Sequence, residues 1–128
     1  MTLKEASKRY YLDQKKNCAI SILLGANDYY GLNLKENDYK LVAGFGGGIG
    51  CGYICGSLAG SIAVLGIMFS DRQDFRALCA TFVKLFEQEL GSKNCCDIMK
   101  THVRNDTRCF LAVEKCACLL EKFISELK

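Results

Sequence analysis

A long uncharged segment near the middle of the chain limits the folds that are open to it. No charged residue lies between Lys40 and Asp71, and the part from Cys51 to Ser70 is apolar and rich in glycine. Such a segment is long enough to span a bilayer, which needs about 20 apolar residues, and its glycines recur at a four-residue spacing used by packed membrane helices. The rest of the chain is amphipathic. We therefore predict a central helix buried on all sides by its neighbours, with no membrane insertion.

The first third of the chain is predicted to be helical. Apolar side chains over residues 3–26 recur close to a helical period, which predicts one helix that stops before Gly31. Asn33 followed by Glu36 is typical of a capping box, in which a side chain at each end of the first turn satisfies a backbone N–H group. This pair predicts a short helix that follows Asn33 and runs to about Val42 or Phe45.

Helix-start and helix-stop residues also divide the second half of the chain. Asp71 predicts the start of a helix with apolar residues over 75–86, and Gly91 predicts its end. A short helix should carry Cys95, and a last helix should begin at Asn105 or Asp106. No segment shows convincing strand alternation.

The chain as a whole predicts one all-α domain over residues 1–128. Half of the residues are hydrophobic and 24% are charged, which is ordinary for a globular protein. The length suits a single core. We predict a single compact helical bundle of about five helices around the glycine-rich apolar central helix.

Charge and cysteine content narrow the function classes. The formal net charge of +3 is small, and basic and acidic residues are interspersed, so no nucleic-acid partner is expected. The first nine residues are polar and charged, without the apolar region of a signal peptide. The nine cysteines are odd in number and cannot all pair within one chain. These features favour a cytoplasmic protein with reduced or metal-bound thiols.

Four cysteines lie in four different segments of the chain: Cys18, Cys55, Cys95 and Cys109. Scattered thiols that converge in a fold make either a metal site or a redox dithiol system. Three of them, all but Cys18, are predicted near helix starts, where free N–H groups and the helix dipole stabilise negative charge. A thiol in such a place ionises more readily, and the thiolate is both the nucleophile and the metal ligand.

A glycine-rich run precedes Cys55. Successive N–H groups in such a turn can form a concave anion site, like those around iron–sulfur clusters. The candidate cofactor-binding glycines are Gly46, Gly47, Gly48 and Gly56. The alternative is a loop that needs tight turns only. The run lacks the Gly-Lys-Ser/Thr ending of a phosphate-binding loop.

Five separate pieces of the chain agree in order and spacing with a known pattern. They are Asn17-Cys18, the glycines over 44–48, Cys55-Gly56, Gly91-Ser92 with Cys95, and Cys109 with Val113. Together they resemble a small family of redox-active proteins named for its C, GCAxxG, C, C pattern. The resemblance covers nearly the whole chain, and it implies a soluble protein with these four site cysteines.

The chain departs from the family pattern at one position and is ambiguous at another. Ser57 stands where the family usually has alanine after Cys-Gly. Cys96 adjoins Cys95 and could replace it in the site. We prefer Cys95, because Ile98 then takes the apolar place three residues later.

Several functions remain open at this point. The first hypothesis is an iron–sulfur protein in which the four cysteines hold one cluster, most simply with two irons, for electron transfer with a redox partner protein. The second is metal-free thiol–disulfide chemistry, with Cys55 as the attacking thiol of low pKa. Structural zinc bound by the same thiolates is a third, and a helical interaction module is a fourth. A site shared across a homodimer also stays open.

The other cysteines and the single histidine are interpreted without a redox role. Cys79, Cys116 and Cys118 are predicted to pack as small apolar side chains. Cys51 could share a helix face with Cys55 and join the site. His102 is predicted to lie in a surface loop.

Overall fold

The regular secondary structure of the described residues is helical. The computed structural model describes residues 1–104 and 107–128. In those residues seven α-helices follow one another, and no strand is formed beyond isolated bridges. The helices are α1 Leu3–Lys8, α2 Cys18–Tyr30, α3 Glu36–Lys40, α4 Gly56–Phe69, α5 Phe75–Leu90, α6 Cys95–His102 and α7 Phe110–Leu127. The all-α prediction is confirmed, and the predicted number of about five helices is too low.

The first predicted helix is in fact two helices. α1 ends at Lys8 and continues as a π-helical turn over Arg9–Asp13, after which Lys15 adopts a φ of 55°. α2 then begins after Asn17, whose side-chain oxygen accepts the N–H of Ile20 at 2.9 Å. This cap explains the break, because it ends the preceding segment and starts a new helix. The predicted stop at Gly31 is confirmed, since its φ of 66° closes α2.

The central helix α4 covers only part of the apolar segment from Cys51 to Ser70. It begins at Gly56 rather than at Cys51, because glycines over residues 47–52 adopt positive φ angles that a helix cannot contain. It is also not buried on all sides, since Ile67 near its end is 47% exposed. Gly60 gives α2 its close approach, because a Cβ there would lie 2.7 Å from the Ala19 carbonyl oxygen.

The core is formed where α4 packs against its neighbours. α4 contacts α2, α5 and α7. Its Val64 and Leu65 are fully buried, together with Ile22 of α2, Phe82 of α5 and Val113 of α7. In the part of the chain that the structure describes, no helix combines the length and the apolarity needed to cross a membrane.

Two predicted helix starts lie later in the chain than expected. α3 begins at Glu36, and the carboxylate of Asp38 accepts the Lys35 N–H at 2.9 Å, so Asn33 is not its cap. α5 begins at Phe75 after Asp74, three residues later than a cap at Asp71 would place it.

The other predicted helix ends agree with the structure only in part. The stop at Gly91 is confirmed by its φ of 87°. The caps predicted at Asn105 and Asp106 lie outside the described residues. The residue that precedes α7 directly is Cys109.

Candidate redox site

Four helix starts meet around one cavity. Cys18 is the first residue of α2, Cys55 precedes α4, Cys95 is the first residue of α6, and Cys109 precedes α7. All four side chains line a cavity of about 510 Å³. Cys55 and Cys95 are buried, whereas Cys18 and Cys109 are partly exposed. The fold therefore brings together the four cysteines that the sequence distributes over residues 18–109.

Asn17 connects the first of these cysteines to the glycine-rich loop. Its side-chain oxygen caps α2, and its side-chain nitrogen donates to the Ala43 carbonyl at 2.9 Å. Gly46 packs directly on this side chain, since a Cβ at Gly46 would lie 2.9 Å from Asn17 Cβ. One side chain thus fixes both the start of α2 and the path of the loop.

Two glycines of the predicted set lie at the Cys18 sulfur. The backbone N–H groups of Gly47 and Gly56 lower the pKa of the Cys18 thiol, although burial raises it more. A Cβ at Gly56 would overlap the Cys18 sulfur and would lie 2.8 Å from the Phe45 carbonyl oxygen. Gly47 has a φ of 65°, a backbone region that favours glycine.

Gly48 supports a different cysteine. Its φ is 65°, and a Cβ there would lie 2.6 Å from Cys95 Cβ and 2.5 Å from the Tyr53 nitrogen. The Tyr53 carbonyl accepts the Cys95 N–H at 2.5 Å, so the loop and the start of α6 form one unit. Close packing of this kind requires a residue without a side chain at Gly48.

Burial dominates the ionisation of the four thiols. It raises the pKa of Cys55 to about 12 and that of Cys109 to about 11, and the nearby Cys18 adds to both shifts. Burial also raises the pKa of Cys18 and of Cys95. The expectation that helix starts would make these thiols acidic is therefore wrong, because desolvation outweighs the N–H groups that favour the thiolate.

A tyrosine and an arginine of the cavity wall were missed by the sequence analysis. The Tyr11 hydroxyl accepts the Cys109 N–H at 3.1 Å, and its ring lies 6.2 Å from that of Phe110. The Arg108 guanidinium lies 4.0 Å from the Tyr11 ring centroid and donates to the Tyr11 carbonyl. No local pattern could have identified this contact, because the two residues are 97 positions apart.

The remaining wall is partly apolar. Ile98 is buried against the cavity, whereas Met99 and Val103 are 51% and 40% exposed at its edge. Asn17, Ser57 and Arg104 are the other lining residues outside the predicted metal and cofactor set. The Ser57 side chain is 1% exposed, and its hydroxyl has no hydrogen-bond partner in the described residues.

The two cysteines that could have joined the site lie elsewhere. Cys51 is exposed, and it lies in the irregular turn before α4, so it does not share a helix face with Cys55. Cys96 is exposed and is not part of the cavity lining, whereas its neighbour Cys95 is.

Two interpretations of other residues need correction. Cys116 is fully buried and packs as predicted, with its sulfur 3.1 Å from the Ser61 hydroxyl, but Cys118 is exposed. His102 lies at the end of α6 and is only 5% exposed, rather than lying in a surface loop. Its Nδ1 is 3.2 Å from the Ile98 carbonyl, and its Nε2 is 3.4 Å from Lys115 Nζ.

The cavity shows no preformed site for a single metal ion in the described residues. Across residues 1–104 and 107–128, no three His, Cys, Asp or Glu side chains are close enough to hold one metal ion. The thiols nevertheless influence each other, since Cys18 contributes to the raised pKa of Cys55, Cys95 and Cys109. Cys18 is therefore the thiol that the other three share as a neighbour.

In the described residues, an all-helical fold places four cysteines around one cavity. The family model described as "Putative redox-active protein (C_GCAxxG_C_C)" matches residues 16–125, and the chain belongs to this family. Neither the curated proteins nor the solved structures gave a match to the chain. The match covers all four cysteines, so the resemblance noted in the sequence is confirmed.

Proposed function

We propose that the protein binds an iron–sulfur cluster through Cys18, Cys55, Cys95 and Cys109 and transfers electrons to or from a redox partner protein in a reducing cytoplasm. The observation that carries this proposal is the single cavity that all four thiols line. Four cysteine thiolates are the usual ligands of a two-iron or four-iron cluster. A cavity of about 510 Å³ leaves space for a cluster of several atoms.

The chemistry of the surrounding groups fits a cluster. The N–H groups of Gly47 and Gly56 at the Cys18 sulfur can stabilise its charge, as backbone donors do at iron–sulfur sites. Burial alone keeps the thiols protonated, so a bound cation that replaces their protons would make the thiolates stable. When bound, the cluster supplies one-electron redox chemistry, and Ile98 keeps water from this wall of the cavity.

Thiol–disulfide chemistry without metal is the second candidate. The influence of Cys18 on the pKa of the other three thiols favours it, since a thiol near three others can pair with one of them. The raised pKa of Cys55 opposes a role as the attacking thiolate at neutral pH. A zinc ion held by the same cysteines is the third candidate. All three candidates use the four cysteines of one chain, so none requires a homodimer.

The test is to purify the protein without oxygen and measure iron, sulfide and zinc per chain together with the visible spectrum. Matching amounts of iron and sulfide that are lost in Cys55→Ser support the cluster. Cys118→Ser is the matched control, because Cys118 is a thiol outside the cavity. Zinc without sulfide would favour a zinc site over the cluster. Protein without metal would favour thiol–disulfide chemistry.

A further inference from the structure

The glycine-rich loop exposes two large apolar side chains next to the cavity. Ile49 is 49% exposed and Tyr53 is 58% exposed. The loop lies against the start of α6, because the Tyr53 carbonyl accepts the Cys95 N–H and Gly48 packs on Cys95. Full burial of a side chain such as Ile49 is worth about 1.5–3 kcal/mol, so a partner that covers this loop gains binding energy.

The apolar surface continues along α6. Cys95, Met99 and Val103 follow one another at a four-residue spacing, which places them along one side of α6 and its end. Because Cys95 contacts the loop, Met99 and Val103 extend the surface that the loop begins, and both are exposed where they line the cavity. We call the four exposed side chains the mouth patch: Ile49, Tyr53, Met99 and Val103.

The charge at the edge of the mouth patch is positive. Arg104 and Arg108 line the cavity, and none of the described lining residues is an aspartate or a glutamate. Both arginines are exposed, and neither forms an ion pair with a described carboxylate. The acidic residue of α6, Asp97, lies 3.8 Å from Lys100 Nζ, and the glycine-rich loop carries no charged residue. Two cations therefore border the apolar surface.

We propose that the mouth patch and the two arginines form the docking surface for the redox partner protein, and that this partner is a small electron carrier with an acidic face. The inference rests on the proposed electron-transfer function. An apolar centre with a polar edge is the usual anatomy of a protein–protein interface, and positive charge at that edge favours a partner of negative charge. Docking here places the carrier over the cavity that the four cysteines line.

A membrane surface is the other kind of partner that apolar and basic groups can fit. Segments that bind anionic lipids carry clusters of about 4–8 basic residues, whereas two arginines line this cavity. The observations therefore favour a protein, and lipid binding is one outcome of the test.

The test is isothermal titration calorimetry with flavodoxin, a small acidic electron carrier, added to the full chain purified without oxygen. We expect saturable binding that weakens about tenfold when the salt concentration rises from about 20 to about 200 mM, because salt screens exposed charges. Cytochrome c, a small basic electron carrier, should not bind.

Two variants locate the surface. Arg104→Glu reverses a charge at the edge of the patch, and Tyr53→Ala removes its aromatic side chain, so each should weaken flavodoxin binding about tenfold. Arg76→Glu reverses an exposed charge on α5, and Leu41→Ala removes a side chain that is 78% exposed. Neither Arg76 nor Leu41 lines the cavity, and these two controls should bind as the wild type does.

The outcomes separate the docking surface from the proposed cluster, because calorimetry needs no iron. A protein that holds iron and sulfide but does not bind flavodoxin overturns the docking surface alone. A protein without iron and sulfide that binds flavodoxin, with the losses expected in Arg104→Glu and Tyr53→Ala, supports the surface and overturns the cluster.

Three results overturn the docking surface whatever the iron content. The first is equal loss of affinity in the variants and in the Arg76→Glu and Leu41→Ala controls. The second is equal binding of cytochrome c. The third is binding to phosphatidylglycerol vesicles that Arg104→Glu and Tyr53→Ala weaken while flavodoxin does not bind, which would assign the same surface to a membrane.

Discussion

Gly56 lies so close to Cys18 that a methyl group on its Cα would overlap the Cys18 sulfur. The start of α4 and the start of α2 are thus in direct contact at the cavity, and the contact leaves no room for a side chain. Gly56 also presents its N–H to the same sulfur. The geometry of this helix pair therefore sets where the Cys18 thiol can lie.

The first prediction concerns this contact. Gly56→Ala should displace Cys18, since its Cβ meets both that sulfur and the Phe45 carbonyl. For the proposed cluster we expect a loss of iron and sulfide per chain. We also expect a decrease of about 1–3 kcal/mol in the free energy of unfolding, because overpacking strains a core. Metal analysis and urea unfolding would measure the two effects.

A second glycine of α4 provides the matched control. A Cβ at Gly66 would lie 3.9 Å from Phe75 Cζ, an ordinary contact. Gly66→Ala should keep the cofactor and leave the stability unchanged or raise it by up to about 1 kcal/mol, because alanine favours a helix over glycine. Equal cofactor content in the two variants would show that the Gly56 contact does not position a ligand.

The second prediction concerns Asn17. Asn17→Ala removes the cap of α2 and the bond to the Ala43 carbonyl together. We expect the free energy of unfolding to fall by about 1–2 kcal/mol, and the cofactor content to fall because Cys18 and the glycine loop lose their common support. Thr2→Ala removes the side-chain cap of α1 instead, and it should reduce stability without loss of iron. A cofactor loss that is equal in both variants would argue against a local role for Asn17.

The sequence was most informative where structure is decided locally. The starts at Cys55 and Cys95 and the stop at Gly91 depend on a few neighbouring residues, and the structure has helix ends there. A competing cap explains the failure at α3. Asp38 bonds to Lys35, and this places the start of α3 after Asn33.

Long-range packing decided what the sequence could not indicate. The π-helical turn over Arg9–Asp13 changes the direction of Tyr11 relative to a regular helix, and its partner Arg108 is distant in sequence. His102 follows a polar segment, yet the packing of α6 near α7 buries it. The pKa of Cys55 depends on desolvation by the whole core, which a helix-start argument omits.

The third prediction is a pH dependence of the metal-free protein. Burial raises the pKa of Cys55 to about 12 from its ordinary value of 9.0. Between these pH values the folded protein keeps a proton that the unfolded chain has lost, so the free energy of unfolding should fall as pH rises from about 9 to about 12. Below pH 9 this contribution should be constant. Urea unfolding at a series of pH values would measure it.

The two matched variants for this measurement each remove one thiol, and the two thiols differ in burial. Cys55→Ser removes the buried thiol and should make the fall in stability less steep. Cys51→Ser removes an exposed thiol and should leave the slope unchanged. The same slope in wild type and Cys55→Ser would contradict the assignment of the pH dependence to Cys55.

The fourth prediction separates a buried cysteine of the core from those of the cavity. Cys116 is fully buried and approaches Ser61, but it does not line the cavity. Cys116→Ala should keep iron and sulfide at wild-type amounts, and it should lower the free energy of unfolding by about 1 kcal/mol because it leaves a small void. Cys55→Ala, the same change at a buried thiol of the cavity, should abolish cofactor binding. Loss of iron in Cys116→Ala would make Cys116 a ligand, and the set of four cysteines would then need revision.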